Sequence, residues 1–378
     1  MEYSSPHPSK SKEINYPLFF PVKVQRLDVK DIEKVLSLFE RKREFQYIQM
    51  GISSRCFLNC AICPRTCFLD RWNSMDMSTE TCKNISRFFP YAKNVYLSGW
   101  GEPLLNSHFL DMIRMAKAAD CSVGFTTNGS LLDDALIRKI IDLQTDLVSV
   151  SLGGATAETH EYHRAGSDFE QLTRNLRSLD DIKKSSSSDK PQVQLRFMMT
   201  KENMEELPLS IEFAAKVGAH GVVATNLDYV AVPLHNELKA FSCHKADEAF
   251  VEHIREAEER ARDKGVSFHA FPLEMKLVPV CSEDPLNSLY ISEDGYVSPC
   301  VYLTPPTPEI PRIFCGENSV IPRTSFGNIN EQSLFEIWNS HEYVLFRNKY
   351  KRRHKRARCE SVDDLPEICK TCYKAYGI

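Results

Sequence analysis

From Tyr47 onward, short apolar runs alternate with longer stretches of helical periodicity. The runs are "YIQMGIS" (47–53), "NVYLSGW" (94–100), "CSVGFTTN" (121–128), "LVSVSLG" (147–153), "QVQLRFMM" (192–199) and "GVVATNL" (221–227). Each is rich in β-branched or aromatic residues and closes on small or polar ones, the pattern of a short strand. Between them, "LDDALIRKIIDL" (132–143) and "LPLSIEFAAKVG" (207–218) carry apolar residues at helical spacing, the second ending on Gly218 as a helix stop. Two more helices are expected, over 30–45 and over 246–263. Strands alternating with helices pair in parallel. Six units in this length predict an α/β fold, an open or partial (β/α)6 TIM-like barrel rather than a closed ring of eight. "KKSSSSDK" (183–190) reads as a solvated loop, and residues 1–17 as loosely attached. From about residue 272 Pro, Cys and turn formers take over and the βα rhythm stops. The expected division is an N-terminal extension (1–45), a core domain (46–271) and a smaller C-terminal domain (272–378).

Composition narrows the class. A hydrophobic content of 42% and a charged content of 26% are those of a globular protein, and a net charge of -4 does not indicate nucleic acid as a partner. No apolar run reaches the ~18 residues that span a bilayer, and the polar N-terminus has no signal-peptide core. No membrane role is expected. Thirteen cysteines in a chain of 378 residues are not the disulfide scaffold of a short secreted domain. A reducing, cytoplasmic setting is expected, in which clustered cysteines point to metal.

The first cluster lies in "SSRCFLNCAICPRTC", with Cys56, Cys60, Cys63 and Cys67 directly after the first predicted strand. Loops that follow strands form the active face of parallel barrels. The C-x3-C-x2-C spacing lets a tight loop bring three thiolates around one iron–sulfur cube. Structural zinc sites instead favour two separated C-x2-C knuckles, and incidental packing is the remaining reading. Three thiolates leave an open iron for chemistry. With Cys67 as a fourth the cluster is closed, and the protein is an electron-transfer or structural iron–sulfur protein. The spacing alone leaves both open.

This pattern after the first strand of a βα repeat resembles the radical S-adenosylmethionine (radical SAM) superfamily. Further segments are similar. "LSGWGEP" ends the second strand, where the family has a Gly-Gly-Glu-Pro-like motif; it maps onto Gly101, Glu102 and Pro103, with Gly99 nearby. "FTTNGSLL" carries the T-N-G of the third strand, with Asn128. "VSVSLGGATAETHEYHRAG" resembles the fourth-strand segment that meets ribose and carboxylate, through Ser151 and Arg164. Gly153 departs from the pattern, since the family often has Asp there, and Ile62 stands where a bulky side chain meets adenine. The resemblance implies a [4Fe–4S] cluster on Cys56, Cys60 and Cys63 with its fourth iron chelated by S-adenosylmethionine. It implies reductive cleavage to a 5′-deoxyadenosyl radical that abstracts a hydrogen atom from substrate. A Gly-Glu-Pro segment has no purpose at a closed cluster, which favours three ligands over four. Blander roles exist for each residue: a helix cap for Glu102, a turn former for Ser151, a surface ion pair for Arg164 and a plain turn at Asn128–Gly129.

The C-terminal region holds Cys281, Cys300 in "GYVSPC", and Cys369 and Cys372 in "CKTC", with "FGNINEQSLFEIWNS" between them. This order resembles SPASM and the shorter Twitch domains, and implies one auxiliary [4Fe–4S] cluster on Cys281, Cys300, Cys369 and Cys372. Cys315 and Cys359 are spare candidates, and a zinc knuckle is the competing reading. "KYKRRHKRAR" (349–358) is a solvated helix end or a face for an acidic partner. Cys67 and Cys243 could donate a hydrogen atom to a product radical, but lone cysteines are mostly packing residues. The resemblance implies oxidative modification or maturation of a peptide or protein, a metalloenzyme among them, or dehydrogenation of a small polar metabolite. The implied electron donor is a ferredoxin or flavodoxin.

Overall fold

The computed structural model describes residues 43–355 and 361–378. Strands β1 (Phe45–Met50), β2 (Ala92–Leu97), β3 (Ser122–Thr127), β4 (Leu147–Leu152), β5 (Gln192–Met199) and β6 (Gly221–Asn226) follow the six apolar runs. They pair in parallel and in sequence order. β7 (Ser267–Ala270) extends this row beyond β6. The expected helix over 30–45 lies outside the described residues except at its end, where Phe45 opens β1 instead.

The chain past residue 272 returns to the sheet. β8 (Ser288–Ile291) pairs in parallel with the free side of β1, and β9 (Val297–Ser298) turns back antiparallel on β8. The nine-stranded order is β7-β6-β5-β4-β3-β2-β1-β8-β9. A separate hairpin joins β10 (Glu309–Phe314) and β11 (Glu317–Pro322). Helices Leu334–Trp338 and His341–Lys355 follow. The first opens on a capping box between Ser333 and Glu336. It delivers Trp338 edge-on to Phe45 at 5.2 Å, so "FEIW" docks the C-terminal region against the start of β1.

Alternation along the strands separates two faces. In β5, Val193, Leu195, Phe197 and Met199 are buried, while Gln194, Arg196 and Met198 point the other way. The buried set packs with Leu172, Leu176, Ile137, Ile140 and Ile211 from the covering helices into one continuous core. Each such side chain contributes about 1.5–3 kcal/mol when fully buried. Asp133, Asp168 and Asp247 cap helix N-termini through their carboxylates. Gly218 takes a left-handed φ of 70° just past the helix Leu207–Lys216, the stop expected of it. The "KKSSSSDK" loop begins later than expected, because Lys183–Ser185 belong to the helix Phe169–Ser185 and Lys183 is buried beside His220.

The opposite face is polar and lines an internal chamber. On it Tyr96 bonds the hydroxyls of Thr126 (2.8 Å) and Ser149 (3.0 Å) across β3. Gly124 permits this, since a Cβ there would meet the Tyr96 ring at 2.9 Å. Among the described residues no helix is long and apolar enough to cross a membrane.

A disulfide joins Cys243 to Cys315, which corrects two expectations. Cys315 is no spare cluster ligand and Cys243 no free hydrogen donor, because each sulfur is bonded to the other. The spare candidate Cys359 lies outside the described residues.

Candidate active site and second thiol site

The loop after β1 is pinned on several sides. Ser54 Oγ donates to Asn73 O (2.8 Å) and accepts from Met75 N–H (2.8 Å). Trp72 Nε1–H donates to Ser54 O at 2.9 Å, and Arg55 forks onto Asp76. Cys63 N–H donates to Cys60 O (3.1 Å), closing the C-x2-C turn, and Pro64 then starts the short helix Pro64–Cys67. Cys56, Cys60 and Cys63 are unpaired, half-buried thiols. Burial, then repulsion by Cys60, pushes the Cys63 thiol up to about 12. Burial also raises Cys56. Thiols crowded this way resist joint ionisation unless a cation compensates, and an iron–sulfur cluster does so. Among the described residues no group of three or more His, Cys, Asp or Glu side chains is drawn together closely enough to hold a single metal ion.

The segment after β2 packs on this loop. A Cβ on Gly101 would fall 2.5 Å from the carbonyl oxygens of Ser53 and Arg55, so only glycine permits the approach. Glu102 N–H donates to Arg55 O at 2.8 Å. The Glu102 side chain is buried and accepts three bonds: Thr127 Oγ1–H (2.7 Å), Asn128 N–H (2.8 Å) and Leu104 N–H (3.2 Å). It thereby also caps the 3-10 turn Pro103–Leu105. Burial raises its pKa; these bonds and Arg164 oppose that. The Asn128 amide in turn reaches Cys56 Sγ at 4.0 Å.

Ile62, Gly99, Ser151 and Arg164 line the chamber, whose volume is about 670 Å³, the scale of a small-molecule site. Gly101, Glu102, Pro103 and Asn128 are not on its wall and form the support behind it. Arg164 ends the helix Ala157–His163, and its Nε is occluded without a hydrogen-bond partner. At Gly153, the departure from the pattern, a Cβ would lie 3.1–3.2 Å from His163 and Arg164, so a larger residue there would press on both side chains. Cys67 turns away to His235, with Sγ to Nε2 at 3.4 Å, beside Phe68, Trp72 and Tyr229.

Cys281, Cys300, Cys369 and Cys372 line a second, apolar cavity. Burial first, then neighbouring thiols, raises Cys281, and Cys369 is pushed up to about 12. Tyr350 lines the same cavity beside Cys369, a neighbour without a sequence signal. In the basic run, Lys351 and Arg352 are solvated as expected, but Arg353 is buried and donates to Ser361 O and Val278 O. Residues 356–360 lie outside the described part.

Cys300, Tyr302, Glu283 and Lys374 face both this cavity and the chamber. Trp100, inside the quoted "LSGWGEP", spans the two sites by donating from Nε1 to Val301 O at 3.1 Å.

Residues 50–214 match the Radical SAM superfamily, and residues 281–373 match SPASM, an iron–sulfur cluster-binding domain. The chain belongs to the radical SAM superfamily and carries a SPASM domain. Its cofactors are accordingly a [4Fe–4S] cluster, S-adenosylmethionine and an auxiliary iron–sulfur centre. The chain is 28% identical over 307 residues to a tungsten-containing aldehyde ferredoxin oxidoreductase cofactor-modifying protein of Pyrococcus furiosus, covering 80% of this chain and 83% of that protein. It is 22% identical over 324 residues to a PqqA peptide cyclase of Granulibacter bethesdensis, covering 85% and 78%. Its fold is similar to that of Streptococcus suis SuiB bound to S-adenosylmethionine, with a TM-score of 0.57 at 14% identity over 92% of this chain and 76% of that one.

Proposed function

We propose that this radical SAM enzyme abstracts a hydrogen atom from a substrate held between its two thiol sites, in the oxidative modification or maturation of a peptide or protein. The observation that carries the reading is the shared chamber: its wall joins Ile62, Gly99, Ser151 and Arg164 to Cys300 of the second site. On this reading Cys56, Cys60 and Cys63 hold the first cluster, and Cys281, Cys300, Cys369 and Cys372 the auxiliary one, with the domain division near residue 272. When bound, the first cluster and S-adenosylmethionine supply the electron and the 5′-deoxyadenosyl radical that removes the hydrogen atom. The chain's own residues do the positioning. Glu102 fixes the 99–103 backbone that faces the methionine amino group. Ser151 offers a hydroxyl to the ribose, and the Arg164 fork matches a carboxylate. Ile62 packs on the adenine, and Trp100, Tyr229 and Tyr302 form an aromatic wall that limits water.

The relatives support modification of a peptide or of an enzyme's cofactor. One is named for modifying the cofactor of an oxidoreductase and another for cyclising a peptide. Dehydrogenation of a small polar metabolite is the other substrate class in the same chemistry. The proposed setting is the cytoplasm, with a ferredoxin or flavodoxin as donor.

The test is anaerobic reconstitution followed by S-adenosylmethionine and dithionite. Release of 5′-deoxyadenosine, with about eight irons per chain, is expected. An intact first cluster that releases none would sink the reading.

A further inference from the structure

Apart from Arg164, the charged side chains on the chamber wall are Asp146, Arg196, Asp228, Glu283, Asp284 and Lys374. Most are already satisfied. Asp146 is held by Lys117 at 2.7 Å and by Lys190. Asp284 takes both bonds of Asn287. Asp228 is bound by Lys374 at 2.6 Å and by Tyr302 Oη–H at 3.0 and 3.1 Å. Arg196 is different. It sits on the polar face of β5, in register with Ser151 on β4 and Val223 on β6. Its Nε is fully occluded and has no partner. Glu283 is close enough to feel its charge but makes no ion pair with it.

A guanidinium is always charged and presents five donors in a planar fork. Enclosed polar groups are nearly always hydrogen-bonded, and an enclosed charge without a partner is costly. With Nε occluded, Arg196 presents its two Nη ends to the ligand-sized chamber whose wall it lines. The group that matches these ends in shape and charge is a carboxylate, taken end-on by two parallel N–H···O bonds from Nη1 and Nη2. Its position one strand from Ser151 puts such a group beside the S-adenosylmethionine side of the chamber, not within it. We propose that Arg196 is the substrate anchor and that the substrate carries a carboxylate which it grips as a bidentate pair. The proposal rests on the reading of the chamber given above.

The test uses wild-type holoprotein with both clusters reconstituted and S-adenosylmethionine bound. Phenylglyoxal labels accessible guanidiniums, and peptide mass mapping reports Arg196 by itself. Succinate and N-acetylglutamate amide serve as carboxylate probes, with succinamide and inorganic phosphate as controls. Arg196 should be labelled in the loaded protein. At a probe concentration about ten times its dissociation constant, labelling should fall roughly tenfold. Protection by either carboxylate supports the anchor, and the stronger of the two shows whether a free acid or a peptide-like side chain fits better. Several outcomes overturn it. Equal protection by succinamide removes the charge requirement, and equal protection by phosphate removes the carboxylate. Complete protection by S-adenosylmethionine alone assigns Arg196 to that ligand. Labelling seen only in the Glu283→Gln protein makes Arg196 the partner of Glu283. The two readings fail separately: protection without any 5′-deoxyadenosine release sinks the proposed function, whereas release without protection sinks the anchor.

Discussion

Cys67 Sγ lies 3.4 Å from His235 Nε2, at the end of the Pro64–Cys67 turn. The imidazole is fixed at both nitrogens. Ala231 N–H donates to Nδ1 (3.4 Å), so Nε2 carries the proton and reaches Ala61 O at 3.2 Å. Burial lowers the His235 pKa and keeps the ring neutral. Cys67 is thus a neutral neighbour within an aromatic cluster, not a fourth corner of the first thiol site. Cys67→Ala should keep the full iron content and release 5′-deoxyadenosine within about twofold of wild type, a difference below ~0.5 kcal/mol. Cys60→Ala should lose the first cluster and all release. Iron loss in Cys67→Ala would show that the four-thiolate reading is right.

Glu102 gives a second prediction, because its carboxylate accepts three protein hydrogen bonds and only donors surround it. Glu102→Gln is nearly isosteric but turns an N–H₂ toward those donors. One acceptor atom is lost and a buried N–H is left opposed, which costs about 1–3 kcal/mol. Thermal unfolding should therefore fall measurably, and S-adenosylmethionine affinity should fall with it as the 99–103 backbone loosens. A variant with unchanged melting and weakened binding would mean that Glu102 acts on the ligand directly and not through the backbone.

The six strands were legible because each carries a period-2 pattern that one core face enforces, as in Val193, Leu195, Phe197 and Met199. The cysteine sets were legible because a cluster fixes ligand spacing within a loop. Residues whose role comes from across the fold were not. Arg196 reads as one polar position in a strand until β4 and β6 place it on the chamber wall. Ser288–Ile291 is too short to announce that it would join β1, and its pairing depends on a partner some 240 residues upstream. The Cys243–Cys315 disulfide joins positions 72 residues apart with no local motif. Glu102 was legible as a motif member, yet its three donors come from segments that only the sheet brings together.

Tyr350 and Cys369 support a third prediction. The tyrosine sits on the helix His341–Lys355 and lines the same cavity as the buried Cys369, within electrostatic reach of its sulfur. Hydrogen bonds to cluster sulfurs raise a centre's reduction potential. Tyr350→Phe should therefore shift the auxiliary centre to a more negative potential in a spectroelectrochemical titration, with iron content unchanged at about eight per chain. Cys369→Ser should instead lower the count toward about four. An unmoved potential in Tyr350→Phe would mean that the tyrosine hydroxyl does not reach the centre, and an unchanged iron count in Cys369→Ser would mean that Cys369 is not a cluster ligand.

The last prediction concerns acid. His160 is fully buried and its Nδ1 accepts Gly153 N–H at 3.3 Å, tying the end of β4 to the helix that carries Arg164. Burial, with repulsion from Arg164 and His163, pushes its pKa down to about 3. An unfolded histidine titrates near 6.5. Between these values the unfolded chain binds a proton that the folded chain refuses, so stability is complete above about 6.5 and declines as pH falls. The slope from one such proton is at most about 1.4 kcal/mol per pH unit. His160→Gln removes the titration while keeping a polar side chain near Gly153. Urea unfolding of cluster-free protein at pH 7.5, 6.5 and 5.5 separates the two effects. At pH 7.5 the variant should be the less stable, and the gap should narrow at pH 5.5 as the wild type loses its histidine contribution. A gap that stays constant across this range would show that His160 accepts a proton in the folded state.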